Sequence, residues 1–411
     1  MTAANESRRA IVIGGSLAGL FCANLLWRAG WDVHVYERVA QELASRGAGI
    51  VTHPELLQAL ERAGVKVDSS LGVEVFERVT FSTDGEILGR LPLRQLMTGW
   101  SRLYQLLRKA FPSERYHPGR ALVAIEQEAS RVTARMADGG TVTGDLLIGA
   151  DGIRSTVRSI FLPGVKPTYV GYAAWRGLAE ESAFSPSVRD QLFERFSFCL
   201  LPEEQILGYP IAGTGDRVEP GHRWFNFVWY RPADENGELR RLLTDDAGKF
   251  YPDGIAPNLV SGQVVNQMRA DARRLLAPQF AEAVQLAPRP FIQPIFDLES
   301  PQIVFGRVVL VGDAAFIARP HTAMSVTKAA QDAIELVEAL AGANSLTEAL
   351  KLFNEKRTRY GRAIVAHGRR LGGYVGEQFR KRAENYGFSG LRRTPESVMR
   401  EIAVPPSFAT L

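Results

Sequence analysis

Cysteine is nearly absent. Two thiols, Cys22 and Cys199, stand among 411 residues, and neither belongs to a Cys-x-x-Cys pair. That argues against a disulfide framework and against a zinc site. No His/Cys/carboxylate cluster has metal-ligand spacing, so no metal is expected. Free thiols suit a reducing cytoplasm. Long apolar runs are also missing. The nearest is the uncharged stretch Ala10–Trp27, which follows Ser7-Arg8-Arg9 and superficially resembles a twin-arginine signal or a membrane anchor. It contains Gly14, Gly15, Ser16, Gly19 and Asn24, and it reads better as strand, turn and buried helix. No other stretch suits a bilayer, so no membrane partner is expected.

Excess charge of one sign is lacking too: the net charge is +4. Cations do thicken towards the C-terminus, from Lys356, Arg357, Arg359 and Arg362 to Arg392 and Arg393. They read as solvated helix faces, the sharper alternative being a field that draws in an anionic pyridine nucleotide or substrate. No nucleic-acid motif accompanies them, so a nucleic-acid partner is not expected. Neither repeats nor low-complexity tracts are found. The length exceeds one small domain and predicts two intimately joined ones.

The first thing present is a βαβ unit. Ala10–Ile13 reads as a buried parallel strand, Leu17–Ala29 as a helix closed by Gly30, and Trp31–Tyr36 as the second strand. Between strand and helix stand Gly14, Ser16 and Gly19, at the positions of G-x-G-x-x-G with serine in the middle. Small residues permit the tight turn, and the helix N-terminus would face a pyrophosphate. Glu37 follows the second strand, where a carboxylate would accept hydrogen bonds from a ribose.

Helices are expected over Pro54–Ala63 and Trp100–Ala110, and strands over Leu122–Gln127, Val132–Met136 and Thr141–Ile148. From about Thr168 to Ile292 the texture is aromatic and β-branched, with strands at Arg195–Leu201, Gln205–Ile211 and Arg223–Tyr230. This predicts an antiparallel sheet that covers a ligand site. Trp224, Phe225, Phe227 and Trp229 lie along its last strand, one face for the core and the other for a ring pocket. Val304–Val311 reads as one buried strand, and Ser325–Leu340 and Leu346–Ala366 as helices.

Two further segments repeat the strand-then-carboxylate construction. Asp151-Gly152 ends one strand; a plain turn capped by Asp151 is its alternative reading. Gly312-Asp313 ends another, and a carboxylate buried there needs a partner. Arg46-Gly47-Ala48-Gly49-Ile50 would let backbone lie against a flat ring, with Arg46 reaching a phosphate. Pro320-His321-Thr322-Ala323-Met324-Ser325 leads into a helix whose N-terminus would stabilise negative charge.

Together these motifs resemble the group A FAD-dependent aromatic hydroxylases, which are single-component flavoprotein monooxygenases. Gly171–Gly177, Tyr209-Pro210-Ile211 and Arg319–Ala323 resemble the branch containing 2,6-dihydroxypyridine 3-hydroxylases. The resemblance implies an α/β fold: a Rossmann-like FAD-binding domain (1–75, 98–167 and 293–345), interleaved with an antiparallel-sheet substrate domain (76–97 and 168–292), plus C-terminal helices (346–411). It implies bound FAD, NADH or NADPH as co-substrate, O2, a C4a-hydroperoxyflavin, and a small hydroxylated aromatic substrate, a hydroxypyridine before a hydroxybenzoate or phenol. A reductase or dehydrogenase of the same fold is the alternative, and a homodimer stays open. The cofactor set is Gly14, Gly15, Ser16, Leu17, Ala18, Gly19, Glu37, Arg38, Arg46, Gly49, Ile50, Leu122, Asp151, Gly152, Gly312, Asp313, Pro320, Ala323, Met324 and Ser325. His321, His53 and Tyr209 are the candidates for proton handling and substrate contact. The chain departs from the family pattern at Phe316, where histidine is usual, and at Ala323 and Ser325, where glycines are usual. Flavin mobility is the property these departures bear on.

Overall fold

The computed structural model describes residues 8–41, 43, 49–252 and 254–406. Its first layer is a six-stranded sheet in the order Val304–Phe305, Val308–Leu310, Leu146–Gly149, Arg9–Ile13, Asp32–Glu37 and Tyr116–Pro118. All neighbours run parallel except the first pair. Ala10–Ile13 and Leu146–Ile148 are almost wholly buried, as strands covered on both faces must be. The helix Leu17–Arg28 ends where Ala29 and Gly30 donate their N–H groups to the carbonyls of Leu25 and Trp27. Gly30 takes the left-handed conformation that such a stop requires (φ 86°).

Two expected strands are each two elements. Thr141–Ile148 breaks at Asp145, which exchanges hydrogen bonds with the backbone of Arg9. Thr141–Gly144 therefore stays in a three-stranded sheet with Leu122–Gln127 and Val132–Met136, while Leu146–Gly149 joins the parallel sheet. Val304–Val311 folds back at Gly306 (φ 61°) into a short antiparallel pair. In both cases the break falls at a glycine with a polar neighbour, Gly144-Asp145 and Gly306-Arg307, inside an otherwise strand-like run.

The second large sheet has nine strands, in the order Phe316–Ile317, Phe291–Glu299, Thr168–Glu180, Trp224–Pro232, Gln205–Ile211, Arg195–Leu200, Val73–Phe81, Ile87–Gly99 and Gly49–Val51. It is antiparallel except between Arg195–Leu200 and Val73–Phe81. Alternation divides its residues between two cores. Phe225, Phe227 and Trp229 pack with Met268 and Phe280 of the helices Gly262–Leu275 and Pro278–Leu286. Val228 and Tyr230 face the other way, with Tyr172, Leu371 and Tyr374. Trp224 shares that second face and is partly buried.

The C-terminal cations are not simply solvated. Arg357 is buried and paired with Asp332. Arg369 pairs with Asp297 and Glu299, Arg370 with Glu401, and Arg393 donates to the carbonyls of Tyr374, Val375 and Glu204. Arg369 thus ties the helix Leu346–Gly372 to the strand Phe291–Glu299 of the nine-stranded sheet, while Arg357 and Arg370 tie that helix to its neighbours.

Candidate active site

The carboxyl ends of the parallel strands open into a cleft of about 320 Å³. Gly14, Ser16, Leu17 and Ala18 form one wall, Glu37, Arg38 and Leu122 another, and Asp151, Gly152, Asp313 and Ser325 the floor and far side. Sequence reasoning had missed Tyr36, Trp100 and Arg120, which also line it.

Backbone geometry explains the glycines. Gly14 has φ 103°, and a Cβ there would stand 2.4 Å from the carbonyl oxygen of Ala150. A Cβ on Gly19 would stand 1.9 Å from the carbonyl oxygen of Gly14. The turn can therefore lie against both its neighbouring strand and its own helix only without side chains. Gly15 backs onto the Tyr116 ring, and its N–H donates to Glu37 Oε2 at 2.8 Å. Val39 N–H donates to Glu37 Oε1 at 2.9 Å. Ser16 is the helix N-cap, and its hydroxyl makes no capping bond.

Asp151 does what its plainer reading expected. It accepts from the N–H groups of Thr156 (2.7 Å) and Val157 (3.1 Å) and from the Ser155 hydroxyl, and so closes the start of the helix Thr156–Phe161. Burial nonetheless raises its pKa against those bonds.

Asp313 is different. Its Oδ1 is buried with no hydrogen-bond partner, and burial pushes its pKa up, with Lys328 opposing the rise and Asp332 adding to it. Beneath it lies a buried ionic cluster that sequence reasoning missed. Lys328 Nζ donates to Gly312 O at 2.7 Å, Gly312 N–H donates to Asp332 Oδ2 at 2.9 Å, and Arg357 Nε donates to Asp332 Oδ1 at 2.7 Å. The available signal was Lys328 and Asp332, four apart on an otherwise apolar helix face.

Gly312 (φ 59°) brings this loop to Ala18 of the first helix. Pro320 and Met324 flank the turn before the helix Ser325–Gly342. Ala323 there adopts φ 52°, the left-handed region, which costs a residue with a Cβ about 1 kcal/mol. Gly49 and Ile50 form an edge strand of the nine-stranded sheet, Gly49 against Tyr209 and Asn226. Arg46 lies outside the described residues.

His53, His321 and Tyr209 do not line the cleft. His321 is fully buried against the Tyr230 ring, with Nε2 2.9 Å from the Tyr172 hydroxyl and Nδ1 unpartnered. Burial, reinforced by Arg319, lowers its pKa to about 3. His53 Nδ1 is 3.0 Å from Thr327 Oγ1, and burial lowers its pKa to about 4. Burial raises the Tyr209 pKa to about 12, with Arg176 opposing. The two imidazoles are therefore neutral and the phenol protonated near neutral pH.

The donor set can be tested against a flavin dinucleotide. Asp313 Oδ1 needs a donor, which a ribityl hydroxyl supplies. The N-terminal ends of two long helices, at Ser16-Leu17 and Ser325-Val326, border the same cleft and favour an anion. The residues present fit the group.

Comparison with known proteins decides the family. Residues 8–166 match the model of an FAD binding domain, and residues 169–297 that of an FAD binding domain-like family. The 2,6-dihydroxypyridine 3-monooxygenase of Paenarthrobacter nicotinovorans is 34% identical over 361 residues, covering 87% of this chain and 89% of that one. The chain belongs to the FAD-dependent aromatic hydroxylases. The crystal structure of 2,6-dihydroxypyridine-3-hydroxylase from Arthrobacter nicotinovorans superposes with a TM-score of 0.85 at 31% identity, covering 96% and 97% of the two chains. A 3-amino-4-hydroxybenzoate 2-monooxygenase of Streptomyces cremeus is 29% identical, covering 88% of this chain and 86% of that one. The protein is thus a flavoprotein monooxygenase with FAD as its cofactor, and among its described residues no helix is long and apolar enough to cross a membrane.

Proposed function

We propose that this hydroxylase oxidises a hydroxypyridine, using NADH or NADPH and O2, in the cytoplasm. The observation that carries the reading is a single cleft lined by all three strand-end motifs, in a chain related over 87% of its length to a dihydroxypyridine monooxygenase. Bound FAD would supply the redox chemistry, hydride acceptance from the nicotinamide and transfer of one oxygen atom of O2 to the ring.

The chain's own residues bind and orient. Gly14, Gly15, Ser16, Leu17, Ala18 and Gly19 seat the pyrophosphate at a helix N-terminus. Glu37 and Arg38 meet the adenosine, and Asp313 takes a ribityl hydroxyl. Asp151, Gly152, Leu122 and Gly312 shape the cleft. Gly49, Ile50, Pro320, Ala323, Met324 and Ser325 border the ring system. His321, held by Tyr172, is the first candidate for handling the substrate's proton, with His53 and Tyr209 as the others; its lowered pKa makes it a positioning partner rather than a strong base. The flavin-binding part spans 1–75, 98–167 and 293–345, the substrate part 76–97 and 168–292, and the helical region 346–411. Association as a homodimer is part of the reading.

Anaerobic stopped-flow reduction of the flavin by NADH and by NADPH tests it, alone and with hydroxypyridines and hydroxybenzoates. The expected result is slow reduction alone and a large acceleration by one hydroxypyridine. Fast reduction without any ring compound would instead identify a reductase. Acceleration by hydroxybenzoates alone would move the substrate class towards that of the Streptomyces relative.

A further inference from the structure

The nine-stranded sheet carries buried donors without a protein acceptor on the face turned from the helices Gly262–Leu275 and Pro278–Leu286. Arg176 Nη1 donates to Gln293 Oε1 at 2.8 Å, while its Nε is buried without a hydrogen-bond partner. No described residue forms an ion pair with Arg176. Asn226 is wholly buried; its Oδ1 accepts from Gly49 N–H at 3.0 Å, and its Nδ2 has no partner. Register places the two residues together. Arg176 stands opposite Val228 and Leu178 opposite Asn226, so Arg176 and Asn226 are diagonal neighbours on one face. Tyr209 lies directly across from Asn226 on the next strand. Gly49 joins this patch to the edge strand proposed to border the flavin ring. Unpaired buried donors are costly, and here they converge on one spot.

We infer that Arg176 and Asn226 form the subsite that reads the N–C–O edge of a 2-hydroxypyridine bound as its anion. The inference rests on the hydroxypyridine reading above. A guanidinium offers two parallel N–H groups along its Nε edge, a fork matched to two acceptors one carbon apart. The deprotonated 2-hydroxypyridine presents such a pair, ring nitrogen and exocyclic oxygen, as a carboxylate presents two oxygens. A phenol presents one oxygen only. Gln293 holds the opposite side of Arg176 and leaves that edge free. Asn226 Nδ2 then donates to the substrate oxygen. Holding the ring as its anion keeps it electron-rich, as oxygen transfer to carbon demands.

The test is equilibrium binding to the flavin-loaded enzyme, without NADH or NADPH and under argon, followed by flavin difference spectra. The ligands are 2,6-dihydroxypyridine, its carbon analogue 1,3-dihydroxybenzene, and 3-amino-4-hydroxybenzoate. The wild type is expected to prefer the pyridine to the carbon analogue by about 30-fold or more. Arg176→Gln and Asn226→Ala should lose most of that preference with flavin content and melting temperature retained, and Arg176→Lys should recover only part. Lysine supplies charge but no fork. Unchanged pyridine affinity in both Arg176→Gln and Asn226→Ala would overturn the subsite and leave the hydroxypyridine reading standing. A wild type that binds neither dihydroxy ring would overturn both. Tight binding of the aminobenzoate alone, lost in Arg176→Gln, would assign the fork to a ring carboxylate and overturn the pyridine edge. Should Arg176→Gln not fold, Asn226→Ala and Arg176→Lys carry the comparison.

Discussion

In the strand-end cleft, carboxylates find donors close by in the chain. Glu37 takes the N–H of Val39 and of Gly15 in the adjoining turn, and Asp151 takes three donors within the next six residues. On the sheet face, Arg176 reaches Gln293 across 117 residues and Asn226 reaches Gly49 across 177. There Arg176 Nε, Asn226 Nδ2 and both polar side-chain atoms of Gln205 remain buried and unpartnered. The first region is organised to complete itself. The second is organised around bonds the protein alone does not make, which is the condition of a surface awaiting a polar ligand. Asp313 belongs to the first region by position and to the second by behaviour.

The largest effect should come from the floor of the cleft. Replacing Asp332 with alanine leaves Lys328 and Arg357 facing each other in the interior without their shared anion. A loss of about 3–5 kcal/mol is expected, because breaking a buried ion cluster strands its remaining charges. Chemical denaturation measures it. A loss below about 1 kcal/mol would show that Gly312 O and water satisfy the cations, and that the floor is less self-contained than it looks.

An intermediate effect concerns pH on the other side of the comparison. His321 has its folded pKa lowered to about 3, whereas the unfolded side chain titrates near 6.5. Above that value both states are neutral and the group contributes no pH dependence. As pH falls from there towards 3 only the unfolded state gains the proton, so stability is lost on acidification. Between pH 7 and pH 5 the expected cost is about 2 kcal/mol. His321→Phe should remove that increment from the pH profile of unfolding, whatever it does to absolute stability. An unchanged profile would mean that the imidazole is reachable by water in the folded protein.

The same contrast governs what was legible in the sequence. The βαβ unit could be read because Gly14, Gly19 and Gly30 each answer a local backbone demand, and the helix Trp100–Ala110 because its apolar face repeats. The bond from Gly15 to Glu37 also lies within one βαβ unit. The strands Val73–Phe81 and Ile87–Gly99 were not read, and neither were the helices Gly262–Leu275 and Pro278–Leu286. The two strands pair with each other as a local antiparallel hairpin, but their outer neighbours, Arg195–Leu200 more than a hundred residues downstream and Gly49–Val51 upstream, are distant in the chain. His321 was singled out by its place in the loop, yet its partner Tyr172 is 149 residues away and its burial comes from a distant sheet. Arg176 stood inside a segment already singled out, and nothing in its neighbours announced that no carboxylate would meet it. Where the resemblance leads one to expect glycine, Ala323 keeps a left-handed backbone, the conformation that glycine adopts without strain.

The smallest effect is the most discriminating, because it should change sign with the cofactor. Asp313 holds a buried oxygen that no described residue satisfies, and burial raises its pKa. A carboxylic acid whose folded pKa lies above its unfolded value near 3.8 weakens the fold at neutral pH, where it must ionise in place. Asp313→Ala should therefore stabilise the flavin-free protein by about 1 kcal/mol while weakening FAD binding about tenfold. Asp313→Asn keeps an acceptor oxygen without the charge and should fall between the two in both measurements. Melting of the apoprotein and fluorescence titration with FAD give the two numbers independently. If alanine destabilised the apoprotein, the carboxylate would be a structural element like Asp151. If it stabilised the apoprotein and left FAD affinity unchanged, the unpaired oxygen would be awaiting something other than the flavin. Only opposite signs place Asp313 where the geometry puts it, as a group kept unsatisfied by the protein so that a cofactor can satisfy it.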